Sequence, residues 1–165
     1  MKSVVANGST MRAMGNIAGL EVGLPRSIAD VDTAWMTNVL RTSGAIDDAT
    51  GVASMVVEPF AVGAGLLSLL YHASLAYSGG EPGPSTVIVK LPTTVPTQRG
   101  IADSLAFYPR EIKFYREVAP RTPLTTPTVY AAMIDDVSTD FVVVMEDLSH
   151  HELSLIHISE PTRPY

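Results

Sequence analysis

Two periods of hydrophobic alternation divide this chain. Extended, β-branched runs recur at Val52 to Phe60, Leu66 to Tyr77, Thr86 to Leu91, Thr128 to Ile134 and Phe141 to Met145, which predicts five strands. Glycines at Gly63 and Gly65 supply a turn between the first two, Ser78 to Pro84 reads as a loop, and Asp135-Asp136 as the turn before the last. Helical spacing appears twice. Asp32 is a helix-start residue, Trp35, Met36, Val39 and Leu40 share a face, and Gly44 ends the element. Ile101, Leu105, Tyr108, Ile112 and Tyr115 then recur at steps of four and three. Proline is best tolerated in a first turn, so the helix proper is expected from Pro109 to Val118, with Ile101 to Phe107 as a looser approach. Pro92 to Gly100 reads as irregular because Pro92 and Pro96 interrupt regular pairing, and Pro120, Pro123 and Pro127 end the helix.

The expected class is α+β: a five-stranded antiparallel sheet with one crossing helix and an extra amino-terminal helix. A chain of 165 residues with 46% hydrophobic content is long enough for one domain with its own core. The net charge of −6 argues against a nucleic-acid or anionic-membrane surface. No cysteine is present, which rules out disulfides and thiolate metal sites and is compatible with a cytoplasmic location. Asn7, Gly8, Arg12, Gly15 and Asn16 make the start too polar for a signal peptide, and a disordered leader is expected over residues 1–24.

Pro59 to Gly80 carries no formal charge and is long enough for a membrane span, but its glycines and polar residues favour two strands joined by a turn. Asp47 and Asp48 read as solvated loop charges. His150 and His151 are adjacent and have no third ligand at helical spacing, so a metal site is not expected. His72 reads as a paired strand residue rather than a catalytic base.

Four short pieces carry chemistry. Glycines at Gly63 and Gly65 would let backbone N–H groups approach an anion without an intervening Cβ, although a hairpin turn wants glycine as well. Lys90, flanked by Val87, Ile88, Val89 and Leu91, is costly to bury alone; it either reaches solvent or meets an anion. Glu111, about twenty residues on, is a partner that would aim the ammonium at phosphate oxygens or a charge stabilising the first turn of its own helix, and both can hold at once. The apolar strand ending at Met145 runs into Glu146-Asp147-Leu148, as a hinge between two lobes would. There the Glu146 carbonyl and Leu148 amide are the expected adenine-binding groups, with Met145 lining the back of the pocket.

The opening helix around Trp35, Val62-Gly-Ala-Gly65-Leu-Leu-Ser68, Val87-Ile-Val-Lys90-Leu-Pro92, Arg110-Glu111-Ile-Lys-Phe-Tyr115 and Val143-Val-Met-Glu-Asp-Leu148 together resemble the aminoglycoside phosphotransferase and choline kinase-like superfamily, in particular its ecdysteroid-kinase-like branch. The resemblance spans about Asp32 to Ser149. Ser68 stands where a third glycine is found in the protein-kinase pattern. The resemblance implies a protein-kinase-like amino-terminal lobe that binds ATP through Gly63, Gly65, Ser68, Lys90, Glu111, Met145, Glu146 and Leu148. It also implies transfer of the γ-phosphoryl group to a hydroxyl of a small molecule, with Mg. The family's catalytic Asp and Mg ligands belong to a carboxy-terminal lobe that has no counterpart after Leu148. A non-catalytic module holding nucleotide or a protein partner is the alternative, and the presence or absence of that lobe in the parent protein separates the two.

Leu153-Ser-Leu-Ile-His-Ile-Ser-Glu-Pro-Thr-Arg163 reads as a translated sequencing adapter, with Pro164 and Tyr165 as index sequence. The expected organisation is therefore a kinase-like ATP-binding lobe over residues 25–152, truncated and inactive alone, and a non-native tail over residues 153–165. Substrate identity and oligomeric state are left open by the sequence.

Overall fold

The computed structural model describes residues 22–60 and 67–149. The β-branched runs form one five-stranded antiparallel sheet: β1 (Gly51–Phe60), β2 (Ser68–Ser78), β3 (Thr86–Pro92), β4 (Val129–Ile134) and β5 (Phe141–Glu146), in the order β1-β2-β3-β5-β4. The expected strands are all present, with ends shifted by a residue or two. The two hairpins, β1–β2 and β4–β5, are joined by β3 pairing with both β2 and β5. At the β2–β3 connection Gly79 has φ +96 and lies against the Ala49 backbone, where a Cβ would collide.

Helix α1 (Thr33–Thr42) starts where the sequence places it: the Asp32 carboxylate accepts from the Trp35 amide at 2.7 Å, and Gly44 follows the end at φ +76. Met36, Val39 and Leu40 are buried on one face of the sheet against Val52, Ala73, Leu75, Val87, Val89, Leu91, Val142 and Val144. Period-two alternation sends Phe141 and Val143 to the opposite face, where they pack with Ala102, Tyr108 and Ile112. Each face of β5, which lies between β3 and β4, therefore has its own hydrophobic cluster. Val22 closes the first cluster from outside α1, and the Trp35 indole N–H donates to the Gly23 carbonyl at 2.7 Å.

The region between β3 and β4 differs from expectation. A helix, α2 (Pro96–Ser104), occupies the stretch read as irregular, and a second, α3 (Phe107–Lys113), follows it. Pro96 is the first residue of α2, where a missing N–H and a fixed φ cost nothing, so it starts the helix instead of blocking it. Ala106, at φ 50, breaks the path between the two helices. That break shifts the phase, so the apolar stripe does not run through. Ile101 and Leu105 are 52% and 49% exposed, and Ala102 is the residue of α2 that is buried. Beyond α3 the backbone widens into a π-helical turn at Phe114–Val118 and tightens at Ala119–Arg121 before the prolines end it.

Polar side chains finish both edges of the sheet. Along the outer edge of β1, Thr37 accepts from the Val52 amide at 2.9 Å, and the Arg41 guanidinium donates twice to the Thr50 carbonyl. Pro59, later in that strand, has no N–H to offer. On the other edge Arg116 donates to the Ala132 carbonyl of β4 at 2.8 Å. Among the described residues no helix is long and apolar enough to cross a membrane, and the described parts of Pro59 to Gly80 are mostly strand.

Candidate functional site

The site is built on the sheet face opposite α1. Lys90 of β3 stands in register with Leu70 of β2 and Val143 of β5, and Ile88, two residues earlier, with His72 and Met145. Alternation places all six on one face. Ser68, in register with Pro92, belongs to the same face.

Lys90 meets Glu111 of α3, with Nζ donating to Oε1 at 2.5 Å. The side chains are 20% and 23% exposed, so the pair lies at the mouth of the face instead of in the core. Because α3 begins at Phe107, Glu111 falls beyond the helix's first turn, where the macrodipole is weak. Its carboxylate therefore acts on Lys90. Of the two readings open for Lys90, the structure shows the anion-paired one.

Neighbours of Glu111 hold the helix in place. Tyr108, three residues earlier, is buried against Phe141 with ring centroids 4.6 Å apart, and its hydroxyl donates to the Leu67 carbonyl at 2.6 Å. Arg99 of α2 lies 5.2 Å from the Tyr108 ring centroid and donates to the Ser138 carbonyl and to Asp140. Those contacts tie α2, α3 and the β4–β5 turn into one support for Glu111. Burial pushes the Tyr115 hydroxyl up, and the Glu111 charge adds to that effect, so Tyr115 remains neutral across the physiological range.

The end of β5 is fixed from three directions. The Glu146 amide donates to the Thr128 carbonyl at 2.8 Å, and a Glu146 carboxylate oxygen accepts from the Thr128 amide at 2.9 Å. Asp147 is buried. One of its oxygens accepts from the Ser149 amide at 2.9 Å, and the other lies 2.9 Å from His72 Nε2. Burial alone would push the Asp147 carboxyl up, but hydrogen bonds from Ser149, Thr86 and His72 outweigh it and hold the carboxyl at about 2. Met145 is half-buried beside this turn and Leu148 is exposed.

Asp147 therefore stabilises the fold only while ionised. A carboxyl depressed in the folded chain contributes fully above its unfolded value near 4, and that contribution is lost as the pH falls towards 2. At pH 7, Asp147→Asn should cost about 1–3 kcal/mol, as expected for loss of charged hydrogen bonds in a buried position. In urea unfolding measured from pH 7 down to pH 2.5, the gap between parent and variant should narrow below pH 4. A constant gap would show that the charge contributes nothing.

Of the residues singled out from the sequence, Lys90, Glu111 and Ser68 converge on this face, as does Met145, while Glu146 and Leu148 flank its β5 end. Gly63 and Gly65 lie outside the described residues, as do His150, His151 and residues 153–165. His72 is a paired strand residue, as expected, but its partner lies 75 positions away, where no local pattern points to it. Arg99 and Tyr108 were also not legible as supports, since their contacts depend on the break at Ala106.

A lysine paired with a helix carboxylate on a sheet face places one partly exposed cation beside a strand that exits through a hydrogen-bonded turn. Set against known families, the ecdysteroid kinase-like model matches residues 62–157. No curated protein and no solved structure matches the chain.

Proposed function

The chain belongs to the ecdysteroid kinase-like family, a kinase-like phosphotransferase group, and on that premise we propose that residues 25–152 form the ATP-binding lobe of a small-molecule kinase. The observation that carries this reading is the Lys90–Glu111 pair, with Nζ fixed at 2.5 Å from a carboxylate on the face that also holds Met145. An ammonium aimed by one carboxylate keeps two further donors for phosphate oxygens. The Glu146 carbonyl and Leu148 amide then read the adenine edge, Met145 lines the back of the pocket, and Gly63, Gly65 and Ser68 cover the phosphates. Transfer of the γ-phosphoryl group to a small-molecule hydroxyl also requires Mg and a positioned base. Among the described residues no group of three or more His, Cys, Asp or Glu converges to hold a metal ion. In this reading Mg and the base are held by residues other than the ATP-binding ones named above.

Calorimetric titration of ATP into the chain tests the reading. Saturable binding is expected, weakened tenfold or more in Lys90→Met and accompanied by no phosphoryl transfer to alcohols. Absence of ATP binding by the unmodified chain, or binding indifferent to Lys90, would sink it.

A further inference from the structure

We propose that His72 and Asp147 form a clamp that sets the base preference of the nucleotide site, with His72 as a positioning residue acting through the turn that follows β5. This rests on the ATP-binding reading above.

The clamp joins parts of the sheet that do not touch through their backbones. In the order β2-β3-β5, the backbones of β2 and β5 lie two strand spacings apart, about 9–10 Å. His72 Nε2 and an Asp147 oxygen close that distance to 2.9 Å, passing over β3, and Thr86 of β3 bonds the same carboxylate. Asp147 also accepts from the Ser149 amide, so one buried carboxylate joins β2, β3 and the turn containing residues 146–149. Glu146 is meanwhile fastened to Thr128 at the start of β4. The peptide groups between these two anchors are left with little freedom.

His72 stands where such a clamp can serve a ligand. It lies on the Lys90 face, in register with Ile88 and next to Phe60, whose ring centroid is 6.4 Å from its own. Its side chain is 24% exposed, whereas that of Asp147 is almost fully covered. The partly exposed imidazole thus ties β2 to the turn that follows β5.

Base choice follows from the fixed turn. Adenine offers a donor at its exocyclic amine and an acceptor at the adjacent ring nitrogen, matching a backbone carbonyl followed by an amide. Guanine offers the reverse pattern, and a rigid turn would set donor against donor and acceptor against acceptor, which is a strong basis for rejection. A turn free to rotate its peptides could accommodate either.

The test compares ATP with GTP, which share a triphosphate and differ in the base, by titration into the full chain. The parent should prefer ATP by tenfold or more. His72→Leu should bring that ratio down at least fivefold, chiefly by weakening ATP. His72→Gln, whose amide can still donate to Asp147, should keep the ratio within twofold of the parent. Should His72→Leu not fold, His72→Asn, which retains polarity but falls short of Asp147, replaces it with the same expected loss. Taking a ratio cancels uniform damage, so a purely structural role would lower both affinities and leave preference intact; that result overturns the clamp. Equal binding of ATP and GTP by the parent also overturns it. If the parent binds neither nucleotide, the ATP reading itself fails and the clamp with it. That outcome is distinct from Lys90-dependent ATP binding with an unmoved ratio, in which only the clamp fails.

Discussion

Lys90→Met should lower phosphoryl transfer by about 10²–10³-fold in a parent protein that carries a catalytic lobe, while leaving the fold nearly unchanged. Charge placed at the transferring phosphoryl group supplies much of the stabilisation in such reactions, and removing one preorganised donor typically costs this much. Methionine keeps the length of the side chain and removes its charge. Glu111→Gln should cost less, about tenfold, because the ammonium remains and loses only the group that aims it. Both partners of the pair are partly solvated, at 20% and 23% exposure, so neither change should alter stability by more than about 1 kcal/mol. Steady-state kinetics with ATP, alongside chemical unfolding of the same variants, makes the comparison. Near-normal turnover in Lys90→Met would reduce Lys90 to a strand residue with an incidental partner.

The largest effect on stability is expected at Phe141. It is fully buried, packs its ring at a tilt against Tyr108 and sits among Ala102, Ile112 and Val143 beneath α3. Phe141→Ala removes a ring from a site where the helix above cannot easily settle into the gap, because Arg99 and the Tyr108 hydroxyl hold it at fixed points. A cost of about 3–5 kcal/mol is expected, a large share of the 5–15 kcal/mol that typical domains possess. Val137, 95% exposed in the turn that precedes Phe141, provides the control: Val137→Ala should change the unfolding free energy by less than about 0.5 kcal/mol. Because Phe141 supports the helix bearing Glu111, its loss should also weaken ATP binding. An Ala variant with parental stability would mean that the second cluster contributes little to the fold.

Why some of this architecture was legible in advance, and some not, comes down to the range of the forces involved. Strands β3 and β5 announce themselves through continuous β-branched runs, and α1 through Asp32 and Gly44, all signals carried within a few residues. The Lys90–Glu111 pair could be anticipated because an isolated ammonium in an apolar strand demands a partner. Helix α2 was hidden by Pro96, whose meaning changes between helix start and helix breaker according to a single position. The division of the Ile101 to Tyr115 stripe was legible from Pro109, but its place, at Ala106, rests on a left-handed conformation that composition does not reveal. His72 and Asp147 meet only because β3 lies between their strands, and strand order was beyond what periodicity could supply.

The polar finishing of the sheet's two edges bears on how the protein behaves in company. An open strand edge is a template on which another chain can add its own backbone, the first step of domain swapping and fibril growth. Here an incoming strand would meet Val52 already satisfied by Thr37, a proline without a donor at Pro59, and on the far side a guanidinium occupying the Ala132 carbonyl. To pair at these points, it would first have to displace Arg41 or Arg116 from the carbonyls they occupy. Backbone pairing at these capped positions therefore carries a cost that side-chain contacts on the faces of the sheet do not.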